Sequence, residues 1–213
     1  MNTDTPESAS TDSRGDAANR KEQLSPVSLG AKLFQWRDFT PVPLILILLI
    51  ISEPTAFSAT LGLFSMIFGE LIRIYGVAFI GSVSRTRNTE TTGRELITGG
   101  PFALVRNPLY VGNLFLATGF AIYSGHLWFV VLTLGAFAFQ YYCIVKYEES
   151  LLLTRFGEAY SRYMQKVPAW FPTHVPSLDQ LEWPASFSHA LKSERKTLAA
   201  IVIMIALMLT KTP

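Results

Sequence analysis

Apolar residues in this chain are gathered into blocks that short charged or proline-containing connections separate. A helix that crosses a bilayer needs roughly 20 consecutive apolar residues, and block 55–81 reaches that length. Block 41–52 is short for a span unless residues 33–39 extend it. This grouping is typical of helices that cross a membrane and not of one large soluble core.

A helical hairpin is predicted in the second half of the chain. Blocks 109–123 and 128–147 are separated by a short turn at residues 124–126, which favours an antiparallel pair of helices. The last apolar block, 198–210, is short and either crosses as a further span or lies in the interface. The pattern therefore predicts an all-α fold, a polytopic transmembrane helix bundle with four to five spans.

From Glu148 onward the pattern becomes amphipathic. Leu151, Phe156 and Tyr160 fall on one side of a helix, and charged residues fall on the other side. We expect this helix to lie on the membrane surface. The next stretch, residues 167–184, is rich in proline and aromatic residues, which favours chain that runs along the interface.

The distribution of Lys and Arg predicts an orientation. They are frequent before residue 38, in residues 82–107 and in residues 146–196, and absent from the two short turns between spans, so the positive segments are predicted to be cytoplasmic. Residues 1–29 are polar and contain no apolar run, which predicts a disordered cytoplasmic tail. Residues 30–213 then form a single multi-pass membrane domain with an amphipathic helix on its cytoplasmic side.

Composition excludes several classes of function. The chain is 49% hydrophobic and 16% charged with a net charge of +2, so no nucleic-acid partner is expected. The three histidines lack metal-ligand spacing, and a zinc hydrolase or other metal site is not predicted. Cys143 is the sole cysteine and lies in an apolar block, which indicates a packed, inert thiol.

Polar residues that could carry chemistry cluster on both sides of the hairpin, which brings the two clusters to one membrane face. Arg106, Asn107 and Tyr110 lie at the start of a helix, where free N–H groups and the helix dipole favour an anion. Alternatively, Arg106 only follows the general excess of positive residues in cytoplasmic segments and forms no anion-binding site. Glu148 and Glu149 follow the hairpin and would attract a cation or amino group, although such a pair is also common as solvated charge.

Glu70 and Arg73 interrupt the second apolar block. They are three residues apart and share one face of the predicted helix, so neither is expected to face lipid. The pair is either a structural ion pair or part of the wall of a ligand pocket.

Two segments resemble the signatures of the isoprenylcysteine carboxyl methyltransferase and phospholipid methyltransferase families. The first signature segment, GPFALVRNPLYVG at residues 100–112, resembles Gly-Pro-Tyr-x-x-x-Arg-His-Pro-x-Tyr-x-Gly. The second signature segment, residues 148–172, is similar to the carboxy-terminal pattern of that group through EE, FGEAY and VPAWFP. The resemblance covers residues 93–172, and two ordered motifs are more specific than either alone.

This resemblance implies a helical membrane enzyme that binds S-adenosylmethionine in a cytoplasmic pocket. A lipophilic small molecule or prenylated acceptor would enter from the bilayer, with an isoprenylcysteine-like carboxylate as the favoured methyl acceptor. The cofactor would be bound by Arg106, Asn107, Pro108, Tyr110, Gly112 and Glu149. The residues with catalytic roles on the acceptor side would be Glu148, Tyr160 and Arg162.

One departure from the family pattern is Asn107, which stands where the family has histidine. An amide donates a hydrogen bond but neither becomes cationic nor shuttles a proton. Two alternatives stay open at this point. The first is an NADPH-dependent membrane reductase of the sterol type, whose sequence is similar in this hairpin, although Asn113 stands here where such enzymes have glutamate. The second is a non-catalytic membrane scaffold that retains only the fold.

Overall fold

The computed structural model describes residues 25–80, 96–173, 182–184 and 187–209. This described part is helical, and no strand occurs in it. A short 3-10 turn at Gly100–Ala103 precedes the hairpin. The helices are α1 (Pro26–Trp36), α2 (Val42–Ile51), α3 (Ala56–Ile80), α4 (Pro108–Tyr123), α5 (Leu127–Phe156), α6 (Glu158–Lys166) and α7 (Ser188–Leu209).

The predicted tail lies mainly outside the described residues. Its last residues belong to α1, which begins at Pro26 and is capped by Ser25, whose hydroxyl oxygen accepts from the Ser28 N–H at 3.2 Å. Proline at the first helical position and serine before it are a helix-start signal. Helix α1 packs against α5 so closely that a Cβ on Gly30 would collide with the Cys143 carbonyl.

Helices α3 and α4 form the tightest contact in the bundle. Their glycines face one another in an antiparallel register, Gly62 against Gly119 and Gly69 against Gly112. A Cβ placed on Gly69 would lie 2.6 Å from the Gly112 carbonyl oxygen. Small residues let two helix backbones approach closely, which is a common way to pack helices in membranes. Any side chain larger than hydrogen would force these helices apart.

Helix α5 is longer than the hairpin pattern predicts. It has 30 residues and continues through Glu148 and Glu149 to Phe156. The single amphipathic helix expected from Glu148 to Tyr163 is therefore wrong in its bounds. The chain breaks at Gly157, whose φ of 52° is a left-handed conformation that favours glycine, and α6 is a separate nine-residue helix.

Two described helices, α3 and α5, are long and apolar enough to cross a membrane. Helices α2 and α4 are apolar but shorter, with 10 and 16 residues. Helix α7 is longer than the predicted block 198–210, because it begins ten residues earlier with a charged first half. The predicted total of four to five spans stays a prediction.

The core lies at the end of the bundle where the hairpin turns. Leu48, Met66, Phe129 and Met208 come from α2, α3, α5 and α7, and each is at least 98% buried. At the opposite end, α6 and the segment after it fold back toward the start of α4. This arrangement leaves a cavity between the core and the two signature segments.

Candidate functional site

A cavity of about 1410 Å³ opens between the helices and is lined by both signature segments. Most of its wall is apolar and comes from α2, α4, α5 and α7. Its polar lining residues are Arg37, Asp38, Thr40, Arg73, Arg106, Asn107, Tyr110, Asn113, Thr133, Gln140, Tyr141, Glu148, Glu149, Thr154, Arg155, Tyr160, Tyr163, Lys196 and Thr197.

Arg106 joins the two signature segments. Its side chain is 12% exposed, and its Nη2 donates to Glu149 Oε1 at 2.6 Å. Its Nη1 donates to the carbonyls of Val167 and Met164 at 2.7 and 3.1 Å, and its backbone N–H donates to the Pro168 carbonyl at 2.8 Å. The guanidinium is therefore fixed by several acceptors at once, which sets the position of the chain immediately before α4.

Glu149 is the buried carboxylate of this pair. Besides Arg106, the Lys146 ammonium lies 3.8 Å from Glu149 Oε2 on the same helix. Because the Lys146 side chain is 48% exposed, solvent weakens that second contact. The Arg106–Glu149 pair is close to electrically neutral, and the preceding residue, Glu148, adds a second carboxyl group to the cavity wall.

Asn107 and Pro108 start α4 at the cavity wall. Pro108 is buried and occupies the first helical position, where the missing N–H costs nothing. Asn107 precedes it, and its side-chain amide donates to the Ala169 carbonyl at 3.0 Å instead of capping the helix. The residue that departs from the family pattern therefore ties the first signature segment to the second.

Tyr110 and Glu148 make a second link across the hairpin. The Tyr110 hydroxyl donates to Glu148 Oε2 at 2.7 Å. The Tyr110 ring lies 4.7 Å from the Tyr141 ring, which itself stacks on Phe137 at 4.1 Å. Aromatic faces and one carboxylate thus line the same part of the cavity, an arrangement that suits a positively charged group.

Tyr160 and Tyr163 close the cavity from α6. Burial, with the nearby Glu149 carboxylate adding to it and Arg106 opposing it, raises the pKa of Tyr160 to about 12. Burial and the neighbouring Tyr160 also raise the pKa of Tyr163. The Tyr163 hydroxyl donates to the Phe102 carbonyl at 2.6 Å. Both hydroxyls therefore stay protonated at neutral pH and act as hydrogen-bond donors, not as bases.

The structure leaves two of the residues expected in the site outside the cavity wall. Gly112 faces α3, where a Cβ would lie 2.6 Å from Arg73 Cγ, so it allows close helix packing and does not line the cavity. Arg162 is exposed on α6, and its Nε donates to the Glu158 carbonyl at 3.4 Å. The roles expected for these two residues stay predictions, and neither residue is included in the proposed site.

A second polar cluster on the cavity wall was only partly foreseen. Arg73 pairs with Glu70 at 3.2 Å, as the i, i+3 spacing predicts, and also with Glu194 of α7 at 2.9 Å. The pair is therefore an ion pair, of which Arg73 lines the cavity and Glu70 does not. Arg73 donates to Asn113 Oδ1, and Asn113 Nδ2 donates to the Tyr141 hydroxyl at 2.9 Å. No local sequence pattern links these partners.

Comparison with known proteins places the matched region across the hairpin. A sequence profile of the phospholipid methyltransferase family matches residues 57–159. The chain is 30% identical over 117 residues to a protein-S-isoprenylcysteine O-methyltransferase of Xenopus laevis. The aligned region covers 54% of this chain and 40% of that protein.

Two further relatives carry names that refer to metal resistance. The cobalt-zinc-cadmium resistance protein CzcN of Cupriavidus metallidurans is 31% identical over 113 residues, or 53% of this chain and 48% of that protein. The nickel-cobalt-cadmium resistance protein NccN of Alcaligenes xylosoxydans xylosoxydans is 33% identical over 78 residues, or 37% and 36%. The matches thus span less than half of each relative. No solved structure matches this chain.

Proposed function

Because this chain belongs to the superfamily of membrane methyltransferases that includes the phospholipid and isoprenylcysteine enzymes, we propose that it transfers a methyl group from S-adenosylmethionine to a lipophilic acceptor. A carboxylate is the acceptor group we favour. The alternatives of a sterol-type reductase and a non-catalytic scaffold gain no support from the relatives.

The observation that carries this proposal is the direct bonding between the two signature segments on one cavity wall. Arg106 contacts Glu149 at 2.6 Å, and Tyr110 contacts Glu148 at 2.7 Å. The cavity volume of about 1410 Å³ exceeds the roughly 300–1,000 Å³ of an ordinary single-ligand pocket. There is therefore room for a cofactor and part of an amphiphilic acceptor together.

The donor set fits S-adenosylmethionine. The Glu148 carboxyl group accepts from Tyr110 beside the neutralised Arg106–Glu149 pair, and it would also accept a hydrogen bond from the amino group of the ligand. The Tyr110 and Tyr141 rings offer aromatic faces to a cationic sulfur. Carboxylate oxygens of Glu148 and Glu149 would accept hydrogen bonds from amino or ribose groups, and the Tyr160 hydroxyl would donate to an oxygen of the ligand.

When bound, S-adenosylmethionine supplies a methyl group on a positively charged sulfur that is already reactive. The residues of the chain then have to align the acceptor and exclude water. A carboxylate acceptor needs no general base, which agrees with a site in which Asn107 replaces histidine and both α6 tyrosines stay protonated. An amine, alcohol or thiol acceptor would need a base, and Glu148 is the carboxylate nearest to Tyr110.

The protein is a membrane protein by its apolar helices and its superfamily. We propose four to five spans, with the amino terminus and the cavity mouth on the cytoplasmic side, because the sequence places its lysines and arginines before α4 and after α5 and none in the short turns. Metal binding is not part of the proposal, since the described residues contain no group of three His, Cys, Asp or Glu side chains that could hold an ion.

Calorimetric titration of S-adenosylmethionine into detergent-purified protein tests the proposal, with NADPH as a parallel ligand. Glu148→Gln should weaken S-adenosylmethionine binding at least about tenfold, because it removes a carboxyl group that would accept a charge-assisted hydrogen bond from the ligand. Glu158→Gln is the matched control, since Glu158 is exposed on α6 and outside the cavity wall. The Arg106→Ala, Glu149→Ala double variant should abolish binding.

The outcomes separate the candidate functions. Binding of S-adenosylmethionine that Glu148→Gln weakens and Glu158→Gln does not would support methyl transfer and justify a screen of acceptors. Binding of NADPH alone would favour a reductase. A folded wild-type protein that binds neither ligand would favour a scaffold and overturn the proposal.

A further inference from the structure

The second polar cluster, formed by Arg73, Asn113 and Tyr141, lies deeper in the cavity than Tyr110 and Glu148. Asn113 follows Tyr110 by three residues on α4, a rise of about 4.5 Å at 1.5 Å per residue. Tyr141 precedes Glu148 by seven residues on α5, a rise of about 10 Å. All three cluster residues line the cavity wall. A ligand that reaches down from the signature segments meets this cluster before it meets the apolar core.

The bonding inside the cluster fixes which groups remain for a ligand. Arg73 donates to Asn113 Oδ1, so the orientation of the Asn113 amide is set and its Nδ2 donates to the Tyr141 oxygen at 2.9 Å. The oxygens of Asn113 and Tyr141 are thereby used within the cluster. Among the described residues, no acceptor is assigned to the Tyr141 hydroxyl proton. The cluster presents donors to the cavity.

The charges around Arg73 decide what kind of acceptor oxygen fits. The carboxylates of Glu70 and Glu194 lie 3.2 and 2.9 Å from the guanidinium, on Nε and Nη2, whereas Asn113 is bonded by Nη1. With two carboxylates already paired to it, Arg73 gives the cavity no excess positive charge. A full anion such as a phosphate gains little here, whereas a neutral carbonyl oxygen can accept from these donors without a charge penalty.

We infer that Arg73, Asn113 and Tyr141 form a subsite for a neutral carbonyl oxygen of the methyl acceptor, with the hydroxyl of Tyr141 as the donor. The inference rests on the proposed function, because it names the class of acceptor. That class is an amphiphile with an amide or ester carbonyl about 5–10 Å from the methylated group, followed by an apolar chain. An unbranched hydrocarbon directly beside the reactive group would leave these donors unpaired in the cavity.

Paired probes of equal chain length test the subsite. We would titrate an N-acylglycine and an N-acyl-4-aminobutyrate, which place an amide carbonyl at two distances from a carboxylate, and compare each with the plain alkanoate. The protein is purified in detergent and saturated with S-adenosylhomocysteine. One hydrogen bond to a neutral group changes affinity about threefold to tenfold, so the better amide probe should bind that much more tightly than the alkanoate.

The variants assign that preference to the cluster. Tyr141→Phe removes only a hydroxyl and should reduce the amide preference to less than twofold, and Asn113→Leu should do the same. Tyr142→Phe is the matched control, because Tyr142 is the next residue on α5, is 54% exposed and lies outside the cavity wall. The control should keep the full preference. Detergent affects the probes equally in every sample, so its effect cancels when the ratio of amide-probe affinity to alkanoate affinity is compared between variants.

Failure of the subsite and failure of the proposed function give different results. Equal affinity of wild-type protein for the amide probes and the alkanoate would overturn the subsite, and so would a preference that survives in Tyr141→Phe. S-adenosylmethionine binding measured on the same samples tests the proposed function separately. If Asn113→Leu does not fold, Tyr141→Phe decides the result alone.

Discussion

The Arg106–Glu149 pair predicts an asymmetric loss of stability when either partner is neutralised. Arg106→Gln leaves the Glu149 carboxylate buried, with Lys146 at 3.8 Å as the remaining cation. Removing one partner of a buried ion pair costs about 3–5 kcal/mol, because the other charge stays desolvated. The variant also loses donors to two carbonyls of the second signature segment. We expect a loss of about 4 kcal/mol in the free energy of unfolding.

Glu149→Gln should cost less. The glutamine oxygen still accepts from Arg106, and the guanidinium keeps its bonds to the carbonyls of Met164 and Val167. The buried guanidinium keeps its hydrogen bonds and loses only the attraction to the glutamate charge, which costs about 1–2 kcal/mol of stability. Arg162→Gln is the control for loss of a positive charge, since Arg162 is exposed, and it should stay within about 0.5 kcal/mol of wild type.

Thermal unfolding in detergent, followed by circular dichroism, measures the difference. For a chain of this size about 1 kcal/mol corresponds to about 2–4 °C, so Arg106→Gln should lower the Tm by roughly 10 °C and Glu149→Gln by a few degrees. The double variant completes a mutant cycle, and its coupling energy should be about 2 kcal/mol. A Glu149→Gln loss equal to or larger than the Arg106→Gln loss would refute the reasoning, as would additive losses.

Three further predictions concern other parts of the structure. Gly112→Ala should lose about 1–3 kcal/mol of stability in the same melts, because its Cβ would lie 2.6 Å from Arg73 Cγ, whereas Gly135→Ala, which meets nothing within 4 Å, should be neutral or slightly stabilising. Asn107→His should retain S-adenosylmethionine binding within a few-fold, because a neutral imidazole also donates to a carbonyl, and Asn107→Leu should lose that binding. Equal binding by both variants would contradict the role of the Asn107–Ala169 hydrogen bond in joining the two signature segments. The pKa of Tyr160 is raised from its unfolded value of about 10 to about 12, so the contribution of its protonated hydroxyl to folding stability is complete below pH 10 and is lost between pH 10 and 12. Tyr160→Phe should therefore reduce the loss of stability over this pH range. It should also remove one tyrosinate transition near pH 12 from the ultraviolet titration.

The hairpin could be predicted because its signal is local. Apolar runs of sufficient length and one short polar turn determine that α4 and α5 form and that they lie antiparallel. The bounds were less predictable, since α5 continues past the membrane-like block until Gly157 breaks it. Helix α1 was not predicted as a separate element, since its first four residues were assigned to the polar tail and residues 33–36 to a possible extension of the first span. Its packing on α5 stabilises this short helix.

The site could be predicted only where motifs mark it. The predicted hairpin brought Arg106 and Tyr110 to the same face as Glu148, but no sequence pattern could show that Arg106 bonds to Glu149. Gly112 was assigned to the cofactor wall because it belongs to a motif, whereas its helix face turns it toward α3. Partners that are distant in sequence become visible only when the helices are packed.

The bond between Arg73 and Glu194 has a consequence for how the protein is made. The two residues are 121 positions apart, so α7 is synthesised after the other described helices. The α7 segment carries charges in its first half, so it is a poor substrate for insertion by hydrophobicity alone. Glu194 is fully buried and becomes tolerable in a low-dielectric interior only once Arg73 is already in place to receive it. Among the described helices, α7 is therefore expected to pack only after α3 presents Arg73, which couples the assembly of α7 to that of the earlier helices.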